Sequence, residues 1–403
     1  SSDLGVMKAG GAFLPLDPGY PQERIRTILD GSGAKLILSH GRQARRLSFT
    51  SLQGLHLVAA EPALTPARPV IRDLDQLPMP DRSLVDYDRY ANFIGQGMVK
   101  NTYINLLSTR GCPFGCAYCH KIWPRGHQRR SPENILEEIR FHYDLGVRRF
   151  IFVDDVFNLD RQACARFCEL LLASGLRVEL FFSGGLRGDL LDPALIDLLV
   201  EAGTVSLALA LETASPRLQK FIGKNLNLER FEENITHLCQ KHPQVVQELF
   251  TMHGFPTETE EEAWQTLEFV KKLRWVHMPY LNILRIYANT EMERLALAHG
   301  VSAEAIFEAE KLPFYEIPDT LPFARGFTAQ VQSEFLNNYF LLKERLLAVL
   351  PHQMRLFSET EIVQKYDSYL PVSIDSFAGL LRYAGLDPAE LGQISFQPED
   401  HHL

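Results

Sequence analysis

Tyr103-Ile-Asn-Leu-Leu-Ser108-Thr-Arg-Gly-Cys112-Pro-Phe-Gly-Cys116-Ala-Tyr118-Cys119 decides how the rest of the chain is read. An apolar run of strand length, Tyr103 to Ser108, leads directly into a loop that carries three cysteines within eight residues. Five more apolar runs follow, at Arg149 to Val153, Arg177 to Phe182, Val205 to Leu211, Val246 to Met252 and Leu281 to Ile286. Their starts lie 28 to 46 residues apart, near the ~30 of one strand-plus-helix unit. Alternation of this kind builds a parallel sheet covered by helices. The helix starts are legible, because a small polar side chain accepts the free amides of the first turn and proline is tolerated at the first helical position. Ser131-Pro132, Asp192-Pro193 and Ser215-Pro216 fit that rule, and Thr257 with Glu260 reads as a capping box. Six units fall short of the usual eight-stranded barrel. The expected fold is therefore α/β: an open, partial, six-stranded parallel β/α barrel over residues 101–290.

The flanks read differently. Residues 1–40 suggest a short βαβ-like element, with strands Ala12 to Leu16 and Lys35 to Ser39 around a helix from Gln22 to Leu29. Residues 41–100 are irregular and carry Pro62, Pro66, Pro69, Pro78 and Pro80, which marks a linker wrapping the barrel. Residues 291–403 read as a helical cap, in which Gln330 to Val349 places Phe335, Tyr339, Leu342 and Leu346 at helical spacing. Across all 403 residues, 46% hydrophobic and 23% charged composition excludes a disordered or fibrous chain. The net charge of −9 argues against a nucleic-acid footprint, and the basic cluster Arg125, His127, Arg129 and Arg130 reads as a solvated loop. No run reaches membrane-span length and no export signal opens the chain, so a cytoplasmic location is expected. A start at Ser1-Ser2-Asp3 without methionine suggests an edited or truncated beginning.

The cysteine loop has the spacing C-x3-C-x2-C. Thiolates are soft ligands suited to zinc or iron–sulfur clusters, and three on one loop can hold three corners of a cube while the fourth metal stays open. A Cys3His zinc site using Cys112, Cys116, Cys119 and His120 is the competing reading. Cys164 and Cys168, four apart on a helical face, and Cys239, beside Phe231, Ile235 and Leu238, read as core residues.

This loop, with the aromatic Tyr118 before its last cysteine, resembles the cluster motif of the radical S-adenosylmethionine (SAM) superfamily. The resemblance spans roughly residues 70–290 and opens at Asp73-Leu-Asp-Gln-Leu-Pro-Met-Pro-Asp81-Arg, which looks like the linker that follows a cobalamin-binding domain in one branch. No D-x-H-x-x-G signature precedes it, and about 70 residues are fewer than the usual cobalamin fold. The resemblance implies a [4Fe-4S] cluster held by Cys112, Cys116 and Cys119, with SAM chelating the open iron. It also assigns roles to strand-end residues, where barrel chemistry sits. Asp154 and Asp155 stand where the methionine amino group binds, and Ser183 and Arg187 supply a hydroxyl and a guanidinium. Glu212 lies near the cofactor, with Lys220 or Lys224 able to meet a carboxylate. Gly254 and Pro256 belong to a G-x-P-x-E-T-like turn that lets backbone approach adenine. Tyr287 stands where relatives show P-G-T, and Tyr280, Asn282, Arg285 and Tyr287 are candidate substrate contacts.

Leu4-Gly-Val-Met-Lys-Ala-Gly-Gly-Ala-Phe-Leu-Pro-Leu-Asp17-Pro-Gly-Tyr-Pro21 resembles an early motif of nonribosomal peptide synthetase adenylation domains. That family's phosphate loop and later motifs are missing, so the piece reads as a packing or docking remnant. Three functions are expected in turn. The first is a radical enzyme whose 5′-deoxyadenosyl radical abstracts hydrogen from an amino-acid or peptide-like secondary-metabolite intermediate. It would act on a small-molecule or carrier-bound substrate, with a flavodoxin- or ferredoxin-type electron donor and a synthetase as possible partners. The others are a radical C-methyltransferase with lost or borrowed cobalamin, and a zinc-stapled scaffold docking to a synthetase.

Overall fold

The computed structural model describes residues 36–40, 56–60, 70–84, 103–120, 123, 125–312, 316–392 and 395–396. The chain divides into two compact units, Ser1–Val70 and Ile71–Leu403. In the first, β1 (Leu36–His40) pairs in parallel with β2 (His56–Ala60). β1 falls where Lys35 to Ser39 was expected. β2 corrects the reading of 41–100 as irregular throughout: its five residues have no turn or alternation signal of their own, and the ladder to β1 supplies what the local sequence does not. The expected strand Ala12 to Leu16 and helix Gln22 to Leu29 lie outside the described residues.

The second unit holds the sheet. Its strands are β3 (Tyr103–Leu106), β6 (Arg149–Phe152), β7 (Glu179–Leu186), β8 (Thr204–Glu212), β9 (Val246–His253) and β10 (Met278–Ile283), with a short antiparallel pair, β4 (Thr109–Arg110) and β5 (Gln128–Arg129), beside the cysteine loop. Helices α1 (Pro132–Asp144), α2 (Arg161–Ser174), α3 (Pro193–Glu201), α4 (Pro216–Phe221), α5 (Leu228–Lys241) and α6 (Glu260–Lys272) run between the strands. The six main strands are all parallel in the order β10-β9-β8-β7-β6-β3, so the sheet keeps two free ends, as expected for an open partial barrel.

Strand alternation decides what the helices cover. Ile104 and Leu106, Phe150 and Phe152, and Leu180 and Phe182 are buried in one core with Ile135 and Ile139 of α1 and Phe167 of α2. Phe152 stacks on Phe182 at 4.8 Å and meets Phe167 edge-on at 5.6 Å. Each such ring contributes about 2–3 kcal/mol of burial. Cys164, Cys168 and Cys239 are buried here as expected.

The three proline-marked caps form as read. Ser131, Asp192 and Ser215 accept the amides of Asn134, Leu195 and Leu218. The fourth does not: α6 begins two residues later than Thr257 and Glu260 imply, with Thr259 and Glu262 making the capping box. Thr257 sits at φ 70°, and Arg217 donates to its hydroxyl and carbonyl oxygens at 3.1 and 2.7 Å, so it is engaged elsewhere. β10 likewise starts at Met278, not Leu281, and includes Pro279. The strand lies at the sheet edge, where a residue without an N–H is tolerated.

The C-terminal part is helical: α7 (Glu291–Ala298), α8 (Ala303–Ala309), α9 (Arg325–Phe335), α10 (Lys343–Leu356), α11 (Glu359–Asp367) and α12 (Phe377–Tyr383). The helix read over Gln330 to Val349 is α9, a π-helical turn Leu336–Phe340 and α10. Phe335, Tyr339 and Leu346 are buried all the same. The break aims Arg345 inward, where it is completely buried and donates to the carbonyls of Val276, His277 and Phe340. None of the described helices is long and apolar enough to cross a membrane.

Candidate active site

The cysteine loop leaves the carboxyl end of β3 and is fixed at its middle. Ala117 is buried in a second apolar cluster with Leu218 and Ile222 of the α4 region, Phe255 and Met292 of α7. Its amide donates to Ile222 O, and its carbonyl accepts from the Met292 amide, both at 2.8 Å. Phe114 lies 3.8 Å under the Arg187 guanidinium. Ala117 and Phe114 thus hold the loop on either side of Cys116, while Cys112 and Cys116 stay half-buried and Cys119 exposed. Burial pushes the Cys112 thiol above its ordinary value.

Gly223 completes the seat. It has φ 68°, and a Cβ there would stand 2.8 Å from Gly115 O. Gly223→Ala is expected to cost more than about 1 kcal/mol, from the left-handed backbone and the displaced loop together. Thermal melting and iron content read on the same preparation check this, and both should fall.

The donor set favours a cluster over zinc. Tetrahedral zinc at ~2.3 Å from each sulfur holds its thiolates about 3.8 Å apart. Among the described residues, the side chains that gather three ligand atoms within 4.8 Å of one another are Asp197, His237 and His242, not the cysteines. His120 Nε2 lies 3.1 Å from Ala288 O, and its ring centroid is 5.7 Å from that of Tyr287. Three thiols on one loop suit the three protein-held corners of an iron–sulfur cube. For SAM, the strand ends offer an unpartnered, fully buried Asp154 Oδ2 and open space beside Gly184.

Asp154 acts first on the protein itself. Its Oδ1 accepts from the amide and hydroxyl of Ser108, at 3.0 and 2.9 Å, and from the amide and hydroxyl of Thr109. Burial, offset by these donors, raises its carboxyl to about 6. Because the folded value lies above the unfolded one, its contribution to stability is full below the ordinary pKa and is lost as pH rises toward 6. Stability is expected to fall by up to about 3 kcal/mol between pH 4 and 6. Urea unfolding across that window should show the slope in the native chain and a flattened one in Asp154→Asn. Asp155 accepts from Gly111 N at 3.0 Å and so tethers the start of the cysteine loop.

Glu212 is the most constrained strand-end residue. It sits at φ 66° beside a register shift between β8 and β9, a conformation that costs a non-glycine residue ~1–2 kcal/mol. Its buried carboxylate accepts from Lys224 Nζ at 2.7 Å and Tyr118 Oη at 2.8 Å. Lys224 is buried and Lys220 exposed, which settles which lysine meets the carboxylate. Burial and Glu212 keep the Tyr118 phenol well above its ordinary value, so it remains a donor. Arg187 donates to Asp189 and to the carbonyls of Lys224 and Asn225. Tyr118 of the cysteine loop and the strand-end residues Glu212 and Arg187 are thereby brought around one loop.

The other candidate positions lie elsewhere on the strands and strand ends. Gly254 makes room for Leu321, whose Cδ2 would lie 2.2 Å from a Cβ there. Glu258 accepts the amides of Gly254 and Phe255, and buried Pro256 follows in the same turn. Ser183 is half-buried on β7, and Tyr287 is exposed. Tyr280 is not a substrate contact: it is buried between Phe250 at 5.0 Å and Tyr369 at 4.4 Å, because the C-terminal helices cover that part of β10. Arg285 donates to Glu316 O at 2.5 Å, and Asn282 is half-buried. Sequence reasoning missed Phe114, Ala117 and Gly223. The glycine immediately after α4 was the one signal available for them.

Residues 106–270 match the family model of the Radical SAM superfamily. An uncharacterized methyltransferase of Pyrococcus horikoshii is 28% identical over 279 residues, 66% of this chain and 55% of that protein, so the chain spans about half the length of that relative. A 48-residue stretch is 52% identical to tyrocidine synthase 2 of Brevibacillus parabrevis, 12% of this chain and 1% of that protein. Among solved structures, the radical S-adenosylmethionine methyltransferase TsrM of Kitasatospora setae aligns with a TM-score of 0.44 at 17% identity, over 48% of this chain and 38% of that one. Residues 106–270 thus match the radical SAM superfamily, a family of enzymes whose cofactors are a [4Fe-4S] cluster and S-adenosylmethionine.

Proposed function

We propose that this enzyme abstracts hydrogen from an amino-acid or peptide-like intermediate of secondary metabolism. The observation that carries the radical chemistry is the three-cysteine loop at the carboxyl end of β3, seated through Ala117 and Phe114. When bound, the cluster and SAM supply a 5′-deoxyadenosyl radical. The chain's own residues position and exclude water. Cys112, Cys116 and Cys119 hold the metal. Ala117, Phe114 and the Asp155 bond to Gly111 fix the loop. Lys224 and Tyr118 aim the Glu212 carboxylate, and Asp154, Ser183 and Arg187 stand at the neighbouring strand ends. Gly254, Pro256 and Tyr287 line the far strand ends, with the C-terminal helices as the cover.

The peptide-like substrate is supported by the short identity to tyrocidine synthase 2 and by the adenylation-like motif from Leu4 to Pro21. A synthetase or carrier-bound substrate is the partner this implies, with a flavodoxin- or ferredoxin-type donor. A second reading, a radical C-methyltransferase drawing on cobalamin, is favoured by the similarity to the uncharacterized methyltransferase of Pyrococcus horikoshii. Incubation of the reconstituted enzyme with reductant, SAM and deuterated aminoacyl or peptidyl carrier substrates separates the two. Deuterium in 5′-deoxyadenosine without product methylation supports abstraction. A cobalamin-dependent gain of one methyl group overturns it in favour of the second reading.

A further inference from the structure

At the opposite end of the sheet from the cysteine loop, where the strands begin, three side chains converge that the radical chemistry leaves unused. Asp197 lies on α3, His237 on α5 and His242 directly after α5. Asp197 Oδ1 is 2.8 Å from His237 Nε2 and 2.7 Å from His242 Nε2. The three ligand atoms lie within 4.8 Å of one another, and the two rings are 5.9 Å apart.

We propose that Asp197, His237 and His242 form a second metal site, a two-histidine, one-carboxylate set for zinc that ties α3 to α5. Imidazole nitrogen and carboxylate oxygen suit a borderline cation, at ~2.0–2.2 Å from each ligand. Tetrahedral coordination at that distance sets ligand atoms about 3.4 Å apart. The observed hydrogen-bond spacings are shorter by roughly 0.6 Å, an opening that rotation of the two rings supplies without moving the helices. Water fills the fourth position. As the metal enters, the Nε2 proton of a neutral ring passes through water to Nδ1 and that of a protonated ring is released to solvent, so binding needs no redox partner. The side chains are 12 to 34% exposed, which leaves an entry path from solvent.

Lys241 is the group that opposes the metal. Its Nζ contacts Asp197 Oδ2 at 2.6 Å, and its side chain is 55% exposed and free to swing into water. A charge cluster and a metal site therefore predict opposite consequences of removing it. In a pure charge cluster, Lys241→Met weakens the assembly and zinc remains irrelevant. In a metal site, Lys241→Met tightens zinc.

The test is zinc binding by the full chain after anaerobic cluster reconstitution, so that the cysteines are occupied, read by chelator competition and by Co2+ absorption. One Zn2+ per chain at micromolar concentration or below is expected. His237→Gln and His242→Gln should each weaken it at least 30-fold, and Lys241→Met should strengthen it several-fold. Bound Co2+ should show visible ligand-field bands without thiolate charge transfer. No zinc bound at 100 µM, or binding indifferent to all three substitutions, overturns the proposal. Failure here leaves the cysteine-loop cluster untouched, since sulfide and iron are counted separately.

Discussion

Cys119→Ala is expected to abolish reductive cleavage of SAM, with at least a 100-fold loss of 5′-deoxyadenosine, while the protein melts within a few degrees of the native chain. The two halves of that expectation come from different observations. Cys119 is exposed, and its thiol contacts the adjacent His120 carbonyl at 3.3 Å, so truncation leaves neither a cavity nor a buried orphan. The loop is seated through Ala117 and Phe114, which the substitution does not touch. A cube held at two corners in place of three loses its geometry and its protection from solvent. Iron content, sulfide content and melting temperature measured together check this. Unfolding of the variant would assign Cys119 to structure, and retained cleavage would remove it from the metal set.

The second large effect concerns Lys224. Glu212 and Lys224 are both buried, at 6 and 7% exposure, and Glu212 keeps a strained backbone. Breaking a buried pair by removing one partner leaves an uncompensated charge and typically costs about 3–5 kcal/mol. Lys224→Met is expected to destabilise within that range, and Tyr118 alone cannot offset the loss. Glu212→Gln combined with Lys224→Met should recover part of the stability, because the amide accepts from Tyr118 without carrying charge. Urea denaturation of the two single variants and the double variant gives the coupling directly. Additive losses would show that the pair is not coupled and that φ 66° at Glu212 is held by other contacts.

The partial barrel was legible because its signals are local and repeat. Six apolar runs, three proline-marked caps and one cysteine loop each depend on neighbours within a few residues, and the sheet order follows chain order. What was illegible depends on distant partners. β2 is a strand only because β1 pairs with it. β10 extends through Pro279 because it occupies an edge, a fact of topology and not of composition. Where the long C-terminal helix breaks, a buried guanidinium reaches three carbonyls, two of them nearly 70 residues away.

The site divides the same way. The three cysteines and the strand-end acids could be picked out by position. Their duties toward the protein could not: nothing in Asp154-Asp155 announces that the first secures Ser108 and Thr109 and the second secures Gly111. Gly254 shows the same limit from the other side. A glycine in a G-x-P-x-E-T-like turn suggests close approach of a ligand, and the structure brings Leu321 of the C-terminal region into that space. Choosing Lys224 over Lys220 required the turn after α4, where Gly223 reverses the chain and sends the next side chain inward.

The most direct measurement of the central claim is anaerobic reconstitution of the purified chain with iron and sulfide, followed by reduction in the presence of SAM. About four iron and four acid-labile sulfide per chain, with 5′-deoxyadenosine and methionine formed only when Cys112, Cys116 and Cys119 are all present, is the result expected here. A chain that takes up no sulfide and leaves SAM intact under those conditions would contradict it.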